Sequence, residues 1–430
     1  MRKRVCFTVF ALLVALIAGL GGSFFVEQAY SEEFQNVPII LKASEVIPKE
    51  WLAGPNYNIK ETITNDGVSS TYKLDTTYGP VVVESTVLLL KRIHELMALH
   101  KMDQLQETDI FKKAAQGAAT GPLTTAESLV KDPVGTAESV GSGIGSFFGR
   151  VSSSVTSNDP NQPDAMKSAL GQAANKREFA YQFGVDPYSP YPPLQKTLDS
   201  IAWTATGGSL TVKAAFSAIP GGAGAVVSVT GTADSLRTLI RDKTPAELEK
   251  INKQRLSDMG IPGSLAKVFL NNYAYDPQEK TLLIGELANM KSLQNRAVFI
   301  VAACSAQQES MAVYMRVMAQ LITIYNKKEK SAERFVEADG LPFIQKKNGA
   351  IVGIFPVDRL FWTQKFAQKE KAVSEALRKI PRVQKKELWI AGAVDQRARK
   401  ALEERGWKIE ERFGEKLLRE IVGKTIPQKG

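Results

Sequence analysis

The chain has 430 residues, of which 44% are hydrophobic and 23% charged, and its net charge is +10. Its only cysteines are Cys6 and Cys304, and Cys6 lies in an N-terminal apolar run that we expect to be removed, so no internal disulfide is expected. Stability therefore has to come from a hydrophobic core, which a chain of this length can build. The only histidines, His94 and His100, do not share a helix face, which argues against a histidine metal site.

The N-terminus has the layout of an export signal. Basic residues at positions 2–4 precede residues 5–26, which carry no charge, and this order is typical of a secretory signal peptide. Small residues further on predict cleavage after Ser31. An uncleaved anchor formed by residues 5–26 is the alternative, because about 20 apolar helical residues can span a bilayer. Both interpretations place the body of the chain outside the cytoplasm, in the periplasm or cell envelope.

Five segments follow one another, and together they predict a mostly helical α+β fold. They are residues 1–31 (signal peptide or anchor), 32–113 (antiparallel β-meander plus helix), 114–163 (a Gly/Ala/Ser-rich segment and linker), 164–325 (a helical domain) and 326–430 (a basic α+β domain). In the meander, Asn65-Asp66-Gly67 predicts a tight turn. Residues 86–105 then change to a helical period.

The middle of the chain is helical and rich in Gly and Ala. A helix is predicted over Asp164–Phe183, and the prolines of residues 186–193 predict a stiff extended segment. Residues 204–233 contain a single charged residue and predict a helical hairpin. Residues 295–325, apolar on nearly all sides, predict one central core helix.

The C-terminal segment carries the positive charge. Residues 326–430 contain 25 Lys and Arg against 15 Asp and Glu, a balance that attracts anionic surfaces. Asp395 is predicted to cap a helix that Gly406 ends. The predicted elements are strands 334–338, 342–346 and 350–355, helix 358–380, strand 388–391, helix 396–405 and strand 407–411.

No motif commits the chain to a reaction. A Gly-x-Ser-x-Gly nucleophile elbow and a Walker lysine are absent, and residues 141–145 depart from the dinucleotide fingerprint. No cofactor and no metal are expected, and no catalytic residue can be assigned. With histidine so scarce, an acid–base enzyme would depend on carboxylates or lysines. Enzymatic activity therefore stays open, with the composition weighing against it.

Two parts of the sequence are candidates for contact with a membrane or a partner. One is the pair Phe147 and Phe148, which would enter a bilayer if exposed and form a helix–helix contact if buried. The other is a basic run with aromatic residues at its start, as in interfacial amphipathic helices. Its alternative role packs the apolar residues on a sheet and leaves the lysines in water. The run comprises Phe361, Trp362, Lys365, Lys369, Lys371, Arg378, Lys379, Arg382, Lys385 and Lys386.

Four stretches, at residues 129–136, 145–150, 183–189 and 397–407, carry a resemblance. They contain Leu-Val-Lys-Asp-Pro-Val-Gly-Thr, Gly-Ser-Phe-Phe-Gly-Arg, Phe-Gly-Val-Asp-Pro-Tyr-Ser and Arg-Ala-Arg-Lys-Ala-Leu-Glu-Glu-Arg-Gly-Trp. With these stretches the chain resembles a set of exported bacterial envelope proteins of uncharacterised function, over most of residues 58–411. The resemblance implies a bacterial envelope location and transfers no activity or site residue.

The sequence thus predicts an exported, non-enzymatic cell-envelope protein that associates with membrane lipid or an envelope protein complex. Its expected partner is an anionic membrane surface, and nucleic acid is not expected. One alternative is an envelope hydrolase or transferase that uses carboxylates in a cleft between the middle and C-terminal parts. A second is a secreted effector whose residues 204–233 insert into target membranes.

Overall fold

One β-sheet precedes and another follows a run of helices in the computed structural model, which describes residues 34–120, 164–208, 210–219 and 232–414. The described elements, from Ile39 onward, belong to one compact unit. The fold is α+β and mostly helical, with an antiparallel N-terminal sheet, a helical middle and a C-terminal sheet with helices, as the sequence predicts. Most of residues 114–163 and the middle of residues 204–233 lie outside the described residues.

The N-terminal sheet is the predicted meander with additional strands. Its order is β1-β4-β5-β3-β2, and β6 also pairs with β5. The predicted β4–β5 turn is confirmed: Gly67 has a φ of 107°, and its N–H donates to Asn65 Oδ1 over 2.7 Å. The sequence did not predict β1 or β2. The strands are β1 Ile39–Lys42, β2 Ala53–Gly54, β3 Tyr57–Ile59, β4 Thr62–Asn65, β5 Ser70–Thr76 and β6 Val81–Glu84, with a short helix α1 Ala43–Val46 after β1.

The helical region begins with α2, predicted over 86–105 and observed over Thr86–Gln106. The Ser85 hydroxyl caps it by accepting the N–H of Leu88, and its apolar residues form much of the core. Among the described residues, no helix is long and apolar enough to cross a membrane. The other helices are α3 Asp109–Thr120, α4 Asp164–Phe183, α5 Pro192–Gly207, α6 Val212–Ala218, α7 Thr232–Asp242, α8 Pro245–Asp258, α9 Gly263–Leu270, α10 Pro277–Asn289, α11 Ala297–Ala303 and α12 Glu309–Lys328.

The single core helix expected over residues 295–325 is wrong, because α11 and α12 are separate helices there. Side chains from the loop after α9 hold the end of α11. The Asn272 amide donates to the carbonyls of Cys304 and Ala306, over 3.2 and 3.0 Å, and the Tyr275 hydroxyl donates to the Ala303 carbonyl. Carbonyls at a helix end need such partners, so these contacts stabilise the break.

The C-terminal sheet has five strands in the order β13-β11-β9-β8-β7. β7, β8 and β9 run antiparallel, whereas β9, β11 and β13 are parallel. The caps at Asp395 and Gly406 are confirmed. The elements are β7 Ala332–Ala338, β8 Leu341–Lys346, β9 Ile351–Phe355, β10 Arg359–Leu360, α13 Gln364–Arg378, β11 Lys386–Ile390, β12 Ala393–Val394, α14 Gln396–Glu404 and β13 Trp407–Glu410.

The helix predicted from residue 358 begins later, at Gln364. The reason is that β10 pairs in parallel with β12, which keeps Arg359 and Leu360 extended. Thr363 then caps α13 by accepting the N–H of Phe366. α13 and α14 connect parallel strands, so β9, β11 and β13 all begin at one edge of the sheet, which we call the amino edge.

Residues just after β9 connect the two sheets. The Asp358 carboxylate accepts the backbone N–H of Ser70 over 2.8 Å and that of Thr86 over 2.9 Å. The Phe361 N–H also donates to the carbonyl of Gly67, over 2.8 Å. Burial raises the pKa of Asp358 to about 6, although the N–H groups of Ser70 and Thr86 oppose the shift.

Gly392, between β11 and β12, lies directly against this connection. A Cβ at this position would be 1.8 Å from the Asp358 carbonyl oxygen. We therefore expect Gly392→Ala to lower the free energy of unfolding by about 1–3 kcal/mol, because rigid backbone would have to move. Urea denaturation measures the loss. Gly263→Ala is the control, since a Cβ there meets nothing within 4 Å; equal stability of the two variants would contradict the prediction.

Candidate functional site

The aromatic residues of the predicted membrane-contact run are buried. Phe361 is 3% and Trp362 1% exposed. The Arg405 guanidinium lies 4.7 Å from the Trp362 ring, and Phe366 contacts the same ring edge-on. These two residues cannot contact a membrane in this conformation, which corrects the prediction for them. Distant residues hold this segment: the Phe361 N–H donates to the Gly67 carbonyl over 2.8 Å, and the Trp362 N–H donates to Gln35 Oε1 over 3.1 Å.

The basic residues of the run, in contrast, lie at the surface. Lys386 alone is half-buried, with its ammonium 4.6 Å from the Trp407 ring. Lys369 pairs with Asp339 and Arg382 with Glu333. Within the described ranges, the other exposed members have no ion-pair partner. We call these five residues the basic surface: Lys365, Lys371, Arg378, Lys379 and Lys385.

The basic surface is polar throughout. The large apolar side chains that are exposed in the described part of the chain all precede residue 325. None of them lies on α13 itself. Contact through this surface would be electrostatic and sensitive to salt. The other predicted contact residues, Phe147 and Phe148, lie outside the described residues.

A second group of charges, which the sequence did not reveal, is buried among the helices. We call it the charged cluster. α2 supplies Lys91, Arg92 and Glu95, and Asp186 comes from the proline-rich segment before α5. α10 supplies Asp276 and Glu279, and Asp276 caps this helix by accepting the N–H of Glu279 over 2.7 Å. α12 contributes the last two members, Glu309 and Arg316.

Lys91 lies at the centre of the charged cluster. Its Nζ is 3.3 Å from Asp186 Oδ2, 3.6 Å from Asp276 Oδ2 and 3.4 Å from Glu279 Oε1. Glu309 Oε1 is 3.2 Å from the same nitrogen. The Lys91 side chain is 10% exposed. One ammonium thus contacts four carboxyl groups from three separate parts of the chain.

Two arginines add further positive charge to the cluster. Arg316 Nε donates to Glu279 Oε2 and Arg92 Nη2 to Glu309 Oε2, each over 2.9 Å. Arg92 also pairs with Glu95, whose other oxygen accepts the Ser189 hydroxyl over 2.5 Å. Each of the three cations in the cluster thus pairs with at least one carboxyl group, as buried charges require.

The carboxyl groups of the cluster differ in proton affinity. Burial and the neighbouring Asp186 hold the pKa of Asp276 well above its usual range. Burial also raises the pKa of Asp186. Glu279 is equally buried, but Arg316 and Lys91 outweigh that effect and lower its pKa. Asp276 therefore holds its proton more tightly than Glu279 does, although both carboxyl groups lie at the start of α10.

Asp186, Asp276 and Glu279 are also close enough to share a cation. One carboxylate oxygen from each lies within 4.8 Å of the others, and such oxygens are ligands for Ca²⁺ or Mg²⁺. The Lys91 ammonium contacts all three, so the chain itself supplies the positive charge that a metal would bring. The arrangement is that of a structural ion network.

Comparison of the chain with protein-family models, curated proteins and solved structures found no match. The basic surface and the charged cluster are therefore the two features that bear on function.

Proposed function

We propose that this protein is an exported, non-enzymatic envelope protein that binds the anionic surface of a membrane through its C-terminal domain. The supporting observation is the basic surface, whose five cations are exposed and have no ion-pair partner among the described residues. Unpaired surface cations keep their field available to an external anion. The resemblance to exported envelope proteins and the apolar residues 5–26 support the location.

The expected strength is that of a reversible peripheral contact. Each Lys or Arg close to an anionic membrane contributes about 1 kcal/mol at moderate ionic strength. Several such residues acting together give appreciable affinity, and salt weakens it as the Debye length falls.

Co-sedimentation with vesicles tests the proposal. Residues 32–430 are mixed with phosphatidylglycerol-rich or pure phosphatidylcholine vesicles at about 0.1 and about 1 M salt, where the Debye length is about 10 and 3 Å. We expect salt-sensitive binding to anionic vesicles alone. Changing the five residues of the basic surface to Glu should abolish it.

A variant with the same net charge provides the control. It carries Glu at five exposed lysines elsewhere, Lys73, Lys112, Lys196, Lys253 and Lys267, and it should bind more tightly than the basic-surface variant by at least about tenfold. Equal binding by the two variants would show that only net charge matters. Absence of wild-type binding to anionic vesicles would reject the proposal.

The convergent carboxyl groups of the charged cluster favour one second candidate, an envelope hydrolase or transferase. Neighbouring carboxyl groups whose pKa values are shifted in opposite directions, as in Asp276 and Glu279, are a pairing that acid–base enzymes use. However, Lys91 contacts both carboxyl groups, and the members of the cluster come from α2, α10, α12 and the segment before α5, none of them from the C-terminal domain. In this case wild type should turn over an envelope polymer and Asp276→Asn, which keeps the helix cap, should not. Absence of turnover by wild type would reject this candidate.

A further inference from the structure

The amino edge of the C-terminal sheet gathers lysines from three segments that are distant in sequence. β9 and β11 begin at this edge, and β7 begins where β8 ends, since Ala332 pairs with Lys346. The connections α12–β7, β8–β9 and α13–β11 therefore meet there. The last turn of α12 and these connections contribute the exposed residues Lys327, Lys330, Lys347, Lys379 and Lys385.

Backbone and side-chain bonds hold the three connections together. The Lys347 N–H donates to the Ser331 carbonyl over 2.9 Å, and the Ile351 N–H donates to the Lys385 carbonyl over 2.8 Å. The Gln345 amide donates to the Pro381 carbonyl over 2.8 Å. These bonds join the three lysine-bearing connections into one continuous surface.

The charge of this edge is largely uncompensated. Within the part of the chain that the structure describes, none of the five lysines has an ion-pair partner. Glu333 is engaged by Arg382 and Glu387 by Lys346, over 3.5 and 3.2 Å. Glu329 is the other carboxylate in these connections.

The basic surface therefore has two ends. At a rise of 1.5 Å per residue, Lys365 and Lys379 are separated by about 21 Å along α13. At the start of α13, Lys369 contacts Asp339 in the β7–β8 turn, on the opposite side of the sheet from the amino edge. Lys379 and Lys385 belong to the amino edge, whereas Lys365 and Lys371 lie towards the other end.

We propose that the amino edge is the part of the protein that contacts anionic phospholipid headgroups, and that the start of α13 contributes little. This assignment rests on the proposed membrane association. Lysine is a mobile point charge, which suits a fluid layer of headgroups. A site for single-stranded nucleic acid would use exposed aromatic rings for base stacking, but Trp407 is 4% exposed and Lys328 lies over the ring of half-buried Trp389.

Two matched neutralisations in the full-length chain test the assignment. The edge variant carries Gln at Lys330, Lys347 and Lys385, and the helix variant carries Gln at Lys365, Lys369 and Lys371. Partition into phosphatidylglycerol vesicles is measured at about 0.1 M salt, with phosphatidylcholine vesicles giving the contribution of the apolar N-terminus. The edge variant should bind about a hundredfold more weakly than wild type, and the helix variant within about threefold of it.

The possible failures are distinct. If wild type shows no preference for anionic vesicles, the membrane association itself is rejected. If wild type shows the preference but the helix variant loses as much as the edge variant, the amino edge is the wrong assignment and the association stands. Tighter binding of wild type to a single-stranded oligonucleotide than to vesicles of equal phosphate content would overturn the choice of lipid. Circular dichroism melts show that both variants are folded.

Discussion

Lys91→Met is expected to lower the free energy of unfolding by about 3–5 kcal/mol, the usual cost of removing one partner from a buried ion network. Methionine retains the length of the side chain, so little packing is lost. The four carboxyl groups around Lys91 would instead lose their shared cation, although Arg316 and Arg92 would still bind Glu279 and Glu309. Urea or guanidinium denaturation at neutral pH measures the difference.

Lys196→Met is the matched control. Lys196 is exposed on α5, and a surface substitution of this kind changes stability by about 0.5 kcal/mol or less. If Lys91→Met cost no more than this control, Lys91 would not be the ion that neutralises the cluster.

Asp358→Ala should cost about 2–5 kcal/mol, because it leaves the N–H groups of Ser70 and Thr86 without an acceptor. Thr86 begins α2, so the change also removes an anion from a helix N-terminus, where it is favourable. Denaturation monitored by circular dichroism measures the loss. A cost below about 0.5 kcal/mol, typical of an unconstrained surface site, would contradict this function for Asp358.

The titration of Asp358 predicts a pH dependence. Its pKa is about 6 in the folded protein and 3.8 as the ordinary value, so the folded state binds the proton more tightly. This contribution to stability is therefore full below about pH 4 and is lost as the pH rises through 6. In Asp358→Asn, which cannot titrate, the loss between pH 4 and 7 should be smaller than in wild type. Denaturation midpoints at four pH values test this; parallel profiles would contradict it.

Features encoded by neighbouring residues were predictable from the sequence. The turn at Gly67 needs a positive φ, and Asn65 supplies the side chain that bonds its N–H. The start of α2 is marked by Ser85 and by the change from a period of two to a helical period. In the same way, Asp395 and Gly406 mark the two ends of α14.

Features that depend on distant partners were not predictable. The break between α11 and α12 is held by Asn272 and Tyr275, about 30 residues earlier, so the apolar pattern alone predicted a continuous helix. Buried Trp362 contacts Gln35 and Arg405, both far from it in the chain, and no local pattern signals these contacts.

The charged cluster and the basic surface also depend on distant partners, so the sequence alone did not predict either of them fully. Lys91 is an ordinary helical lysine until Asp186 and Glu279 are brought to it, and the sequence offers only the acidic helix start at Asp276 as a hint. The sequence pattern predicts one basic site over residues 365–386. In the structure, α13 separates the two ends of this site by about 21 Å. Lys330 and Lys347 join the far end only through the strand order.

The bonds that Asp358 makes to the N-terminal sheet also have a consequence for the timing of biogenesis. Ser70 and Asp358 are 288 positions apart. At a synthesis rate of about 5–20 residues per second, the first sheet would wait about 15–60 s for this partner. Throughout that interval Tyr72 and Leu74, both fully enclosed in the finished protein, would belong to an incomplete nascent structure. The early strands are thus the ones most in need of a holding chaperone or of delayed collapse, and termination before residue 358 would leave them permanently without their acceptor.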